Sequence, residues 1–324
     1  MEVGLDARKP LDWVAGIGAA AWICLAFTAA SSAAGLGLIE ILFLAGPGLV
    51  VPIAATLVPP VSGSKLAEGL RTLQNSLTLP AAGLAGVSFF FPAGARAGIL
   101  ASAWLVVCVL VAGEGLLRLV SSARDSFAQL CFAVGQIYLV VGGSWLVISR
   151  LGLHPFGFEE PIVLLTAVHF HFAGFASCVL AGLAYERLRD APWVKILRAA
   201  LVGVVAGPGI LCLAFLVGPK LKIVAALLIV AGQIGLSAAM LRIAFTTAQG
   251  LGRWMLSISA GCVAVGMALA ATWAAGEYPL HPFVNLSEMA RYHGVLNALG
   301  FSLCGLLGWT QVRSTTLSSG ELRR

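Results

Sequence analysis

This 324-residue chain is short of charge. Only 10% of its residues are Asp, Glu, Lys or Arg, against about 25% in ordinary globular proteins. A soluble fold with so little charge could not cover its surface, so composition alone excludes one. Several chemical signatures are missing as well. The sequence has no CxxC pair, no HExxH or HxxxH spacing, no nucleophilic Ser or Cys motif and no phosphate-binding glycine loop. Their absence argues against a disulfide framework, a metalloprotease-type metal site, covalent catalysis and ATP use. The seven cysteines (Cys24, Cys108, Cys131, Cys178, Cys212, Cys262 and Cys304) all fall in apolar runs and read as small buried hydrophobes. The formal charge of +6 comes from residues scattered in short loops, with no basic cluster interleaved with aromatics, so no nucleic-acid partner is expected.

Apolar and small residues dominate instead. The chain is 59% hydrophobic, with a mean hydropathy of +0.96 and 38 glycines. That mixture suits transmembrane helices packed closely through small residues. A membrane β-barrel would alternate apolar and polar positions, and this sequence does not. A span needs about 20 apolar residues. Ten candidates follow, at 12–33, 36–57, 73–92, 97–120, 127–149, 160–184, 195–217, 221–244, 254–275 and 288–311. The first reads as a retained helix and not a signal peptide, because no small-residue cleavage site follows it. With the N-terminus inside, fifteen of the twenty Lys and Arg residues fall on the cytoplasmic side. The expected fold class is therefore an all-α integral membrane protein of about ten transmembrane helices, with both termini cytoplasmic. The expected location is a bacterial cytoplasmic membrane, with the lipid bilayer as a partner.

A weak internal repeat runs through this pattern. His-Pro-Phe occurs at 154–156 and again at 281–283, and HFAGF (171–175) corresponds to NALGF (297–301). Pro92 and Pro219 stand in matching short outer loops. Spans three to six then correspond to spans seven to ten in the same orientation, a parallel four-helix repeat. The single transmembrane domain divides into a partial unit at 1–72 and repeats at 73–194 and 195–324. In the partial unit, Ala45-Gly46 aligns with Ala173-Gly174 and Leu299-Gly300.

The ionisable residues inside spans stand out, since each costs about 2.5–3.5 kcal/mol on insertion scales. Glu40, His169, His171 and His293 all fall in the expected outer half, and the repeat places them and Asn297 at similar depth. These four are the candidate acid–base residues. Asn297, Tyr292 and Phe172 are candidate substrate contacts. His169 and His171 are about 200° apart on an ideal helix, so one faces a cavity while the other packs, or a π-bulge distorts the helix. His293 and Asn297 share a face, and Asn297 is placed to fix the His293 tautomer or to share a substrate with it. No metal or other cofactor is expected. His154 and His281 read as loop caps before proline. Glu159, Glu160 and Glu288 begin spans, where negative charge suits a helix N-terminus. Glu114 and Arg118 read as a local ion pair, and Gln136 and Gln233 as links between helices.

Three blocks carry a family resemblance: IEILFLAGPGLVVP (39–52), HFHFAGF (169–175) and YHGVLNALGF (292–301). They resemble the YndJ-like family of bacterial membrane proteins. The resemblance implies a multi-spanning protein with Glu40, His169, His171, His293 and Asn297 at its polar positions, in a family whose members are often labelled transporters. Some members carry a soluble C-terminal extension, which is not found in this sequence.

Three functions fit these residues. The leading one is a membrane-embedded enzyme that performs isomerisation, cyclisation or hydrolysis on a lipophilic small molecule, with Glu and His as acid and base. The second is a proton-coupled small-molecule transporter using the same groups as a relay. The third is a structural or accessory subunit. Polar residues look sparse in the inner half, and a one-sided polar cavity favours the enzyme. A run of polar groups continuing toward the cytoplasmic side would favour transport. Oligomeric state is not legible.

Overall fold

The computed structural model describes the backbone of residues 9–30, 35–121, 126–277 and 284–321, and the side chains of these except 9–15, 27–30 and 313–321. Among the described residues every regular element is helical. Ten helical stretches match the ten expected spans. They are α1 Lys9–Ala30, α2 Leu38–Leu57, α3 Lys65–Ser88, α4 Ala95–Ser121 and α5 Phe127–Leu151, then α6 Ile162–Arg187, α7 Val194–Val217, α8 Pro219–Thr246, α9 Gly250–Glu277 and α10 Leu286–Val312. Eight of them, α2 and α4 to α10, are long and apolar enough to cross a membrane. The third expected span, 73–92, is a helix that starts at Lys65 and ends at Ser88. It is not among the eight, because Arg71 and the polar stretch Gln74-Asn75-Ser76 keep its hydropathy low.

Three helices are not α-helical throughout. α2 turns π-helical over Gly46–Val50, α6 over Phe170–Ala176, and α10 over Met289–Gly294 and Leu296–Leu303. The three glycines aligned by the repeat, Gly46, Gly174 and Gly300, all lie in these wide turns. A π-turn accommodates one extra residue and rotates the side chains that follow, and such turns gather at functional sites. In α2 the cause is legible: Pro47 offers no N–H to the ladder, and glycine flanks it on both sides.

The chain forms two compact units that do not follow chain order. Unit 1 holds residues 1–120 and 136–171, and unit 2 holds residues 121–135 and 172–324. α5 and α6 therefore each contribute one end to each unit.

Unit 2 is built on close backbone approach. Gly203 of α7 and Gly232 of α8 face each other so tightly that a Cβ on Gly232 would sit 2.7 Å from the Val204 nitrogen, and one on Gly203 2.3 Å from the Leu228 carbonyl oxygen. Hydroxyls and one amide tie the remaining helices. Ser237 donates to the Ala260 carbonyl (2.8 Å), Ser259 to the Phe301 carbonyl (2.6 Å) and Gln233 to Ser177 Oγ (3.0 Å). In lipid, where apolar surfaces gain nothing by leaving water, such packing and hydrogen bonding hold helices together. Gly232→Val is expected to destabilise unit 2 by about 1–3 kcal/mol through overpacking. Gly261→Ala is the control, since nothing lies within 4 Å of its added methyl. Melting temperatures of both variants in detergent check this, and an unchanged Gly232→Val protein would refute the packing account.

Candidate functional site

The HFHFAGF stretch lies where α6 changes from α to π. His169 is the last residue of the α segment, and His171 is the second of the π segment. Their environments diverge, as helix geometry requires. His169 is exposed, with Nδ1 3.0 Å from the Leu165 carbonyl oxygen. His171 is fully buried.

Both His171 ring nitrogens are engaged. Trp104 Nε1 lies 2.8 Å from Nε2, and Nδ1 lies 2.8 Å from the Ala167 carbonyl oxygen. An indole N–H only donates, so Nε2 accepts and the ring proton sits on Nδ1, from where it donates to Ala167. The imidazole is thus held as one neutral tautomer. Its faces are packed as well. Trp104 stacks on it at 6.0 Å between centroids, and Phe43 of α2 meets it edge-on at 5.0 Å. Two glycines make the room: a Cβ on Gly142 of α5 would lie 2.7 Å from Nδ1, and one on Gly46 3.1 Å from Cδ2. α2, α4, α5 and α6 meet at this one ring.

Glu40 belongs to the same unit. It lies in the first turn of α2, three residues before Phe43, and is partly exposed. The aromatic chain continues from Phe43 to Phe89 at 5.9 Å, and the Arg150 guanidinium lies over Phe89 at 5.1 Å from its centroid. Arg150 donates to the carbonyls of Phe91 (2.8 Å) and Ser88 (3.3 Å), closing the end of α3. Glu40 and Glu160 both lie within electrostatic range of this guanidinium.

His293 and Asn297 belong to unit 2. His293 Nδ1 is 2.9 Å from the Gly266 carbonyl oxygen of α9. Asn297 donates to the backbone carbonyl of His293 at 2.7 Å, not to its ring. The expected tautomer-fixing role of Asn297 is therefore corrected: the Gly266 carbonyl is the group that meets the ring. Gly266 also makes room for Asn297, since a Cβ there would lie 2.5 Å from Nδ2. His171 and Asn297, paired by the repeat, thus each press against a glycine of the preceding helix. Tyr292 is 53% exposed with the Arg291 guanidinium over its ring, whereas Phe172 is buried.

The end residues behave mostly as expected. Glu160 accepts from the Leu164 N–H (3.2 Å), and Glu288 forms a capping box with Asn285. His154 precedes a short turn without capping it through its side chain, because Phe156 and Gly157 reverse the chain with positive φ instead. His281 lies outside the described residues.

A second polar layer lies deeper in unit 1. Glu114 and Arg118 are almost fully buried and pair at 3.0 Å. Arg71 of α3 joins them with a forked contact to both Glu114 oxygens, its Nε at 3.2 Å. Arg118 Nε donates to Gln136 Oε1 at 3.1 Å. Both arginines also donate to the Pro59 carbonyl beyond the end of α2, and Arg71 to that of Val58. The expected local pair is thus one edge of a four-residue network. Sequence reading missed Arg71, Trp104 and Arg150. A tryptophan in mid-span was the available signal, because its N–H must find an acceptor in lipid.

The sequence matches the profile of a family described as YndJ-like protein over residues 41–301. The chain belongs to the YndJ-like family. The matched range holds every candidate site residue except Glu40, which lies one position before it. A relative named "Uncharacterized membrane protein YndJ", from Bacillus subtilis (strain 168), is 25% identical over 213 residues, covering 65% of this chain and 38% of that protein. The match therefore spans well under half of the relative's length. No solved structure matches. For this YndJ-like chain, membrane residence and multiple spans stand on the family and the helices together.

Trp104→Phe should cost about 1–3 kcal/mol by leaving the buried Nε2 without a donor. In a His171→Phe background the same change should cost less, because the acceptor is gone. A double-mutant cycle of unfolding in mixed micelles measures the difference. Equal costs in both backgrounds would show that the hydrogen bond is not the source.

Proposed function

We propose that this chain is a proton-coupled transporter of a small, largely apolar molecule in the bacterial cytoplasmic membrane, with both termini inside. The observation that carries this reading is the Arg71–Glu114–Arg118–Gln136 network. It supplies buried polar groups in the half of the bilayer that sequence reading left nearly empty. α4 links the two layers along one face: Trp104, Val107, Cys108, Val111, Glu114 and Arg118 are all buried. Trp104 and Glu114 are ten residues apart, about 15 Å along the axis. The buried α4 residues between them are Val107, Cys108, Val111 and Ala112, all apolar. Two polar layers separated by an apolar septum suit a path that opens to one side at a time. The π-turns in α2 and α6 supply local give where these helices meet the upper layer. Matching π-turns in α2, α6 and α10, together with the glycine contacts of His171 and Asn297, support reading the chain as a parallel repeat.

An enzyme active site is less well supported, because His171 has neither nitrogen available for acid–base work. In this reading Glu40 of unit 1 is the ionisable span residue assigned to proton coupling.

The septum gives a direct test. A protein retaining only Cys108, with the other six cysteines replaced, is reconstituted in vesicles and treated with a charged, membrane-impermeant maleimide. Transport predicts labelling of Cys108 from either face. Labelling from one face only would point to a blind pocket and an enzyme. Labelling from neither would leave packing as the role of both layers, and either result would overturn the proposal.

A further inference from the structure

We infer that the lower polar layer of unit 1 is a binding site for a monocarboxylate with an apolar tail, held by Arg71 and Gln74 of α3. This names a ligand class for the layer and does not depend on the ligand being transported.

The layer carries one positive charge in excess among the described residues. Arg71 and Arg118 share the single Glu114 carboxylate. The Val58 and Pro59 carbonyls and the Gln136 Oε1 that also accept from them are neutral. Lys65 and Glu68 in the first turn of α3 are exposed and of opposite sign, so they leave the excess unchanged. An uncompensated charge is costly away from water, and a monoanion cancels it.

Arg71 has a donor to offer. A guanidinium carries five N–H donors. In Arg71, Nε and one Nη2 hydrogen go to Glu114, the other Nη2 hydrogen goes to Pro59, and one Nη1 hydrogen goes to Val58. The second Nη1 hydrogen is left over. The Arg71 side chain is 23% exposed and that of Arg118 only 1%, so Arg71 is the arginine a ligand can reach.

Gln74 supplies the second donor. It follows Arg71 by three residues, which puts both side chains on one face of α3 with Cβ atoms about 5–6 Å apart. Gln74 is only 4% exposed, yet its side-chain amide forms no hydrogen bond among the described residues. Nor is that amide sealed off, as the unpartnered Oε1 of Gln233 is. A buried amide without a partner is costly, and a ligand oxygen recovers that cost. Two donors on neighbouring side chains suit the two oxygens of one planar carboxylate. Chloride offers a single point, and a phosphate dianion overshoots the charge. Val111 and Val107, one and two turns from Glu114 on α4, are buried and apolar and suit an aliphatic tail. A soluble metabolite and a membrane fatty acid would bring the same group.

The test uses the purified full chain in detergent, with hexanoate as probe and hexanamide and chloride as controls. Calorimetry should show hexanoate binding at least about tenfold tighter than either control. Gln74→Met removes an unpaired amide and keeps the size, so the protein should remain folded while hexanoate binds about tenfold more weakly. Gln74→Glu installs a resident carboxylate, and it should abolish hexanoate binding and raise the melting temperature. Arg71→Gln removes the excess charge and should also abolish binding. Native mass spectrometry of protein taken directly from membranes separates the sources. A retained long-chain fatty acid identifies a lipid, and empty protein that takes up hexanoate identifies a soluble metabolite, both consistent with the site. Absence of hexanoate binding, equal binding of either control, or undiminished affinity in both Gln74 variants would each overturn the proposal.

Discussion

A buried polar atom in a lipid bilayer has no water to fall back on, so it must find its partner within the protein. The His171 ring meets that constraint in full. Trp104 supplies the donor, Ala167 the acceptor, Phe43 the edge contact, and Gly46 and Gly142 the space. Four helices must arrive at fixed angles and heights for those five residues to meet one imidazole. The π-turn that begins at Phe170 belongs to the same requirement. It sets His171 against Gly142 while His169, two residues earlier, faces outward. The packing of unit 1 depends on this ring more than on any charged pair.

Much of this was legible in the sequence, and the reasons are specific. Spans follow from hydropathy because lipid admits only helices or closed barrels. The distortion of α6 could be anticipated because two histidines at i and i+2 have no common face on a regular helix. The α2 distortion could be read from Gly46-Pro47-Gly48. The role of His171 could not be read, because it is decided by Trp104, 67 residues away, and by glycines whose contribution is an absence of atoms. The Arg71 contact was hidden for a similar reason. Local spacing presents Glu114 and Arg118 as a sufficient pair, while the third member comes from another helix. The third span was misjudged in extent because its apolar half masked the charged turns that precede it.

The two polar layers of unit 1 differ in kind, and the difference bears on function. The upper layer is neutral, aromatic and internally satisfied, with Arg150, Glu40 and Glu160 at its rim. The lower layer is ionic, holding two guanidiniums and one carboxylate among the described residues. Buried ion pairs of this sort are weak evidence for stability, since desolvation offsets most of their attraction. Holding three charges buried together in unit 1 therefore calls for a reason other than strength. Under the proposed transport reading, control of when α2 and α3 separate is such a reason, because the arginines grip carbonyls of the α2–α3 connection.

The apolar septum between the layers then acquires meaning. On α5 the interval between Gln136 and Gly143 holds Leu139, a large aliphatic side chain that is fully buried. α4 presents Val107, Cys108 and Val111, and α5 presents Gly143, where a Cβ would lie 2.8 Å from Cys108 Sγ. Gly143 brings the two backbones close, with Cys108 and Leu105 of α4 both packed against it. The same closeness leaves little volume for water in this arrangement. Under the proposed transport reading, a tight seam bounded by polar groups on both sides resists passage while closed.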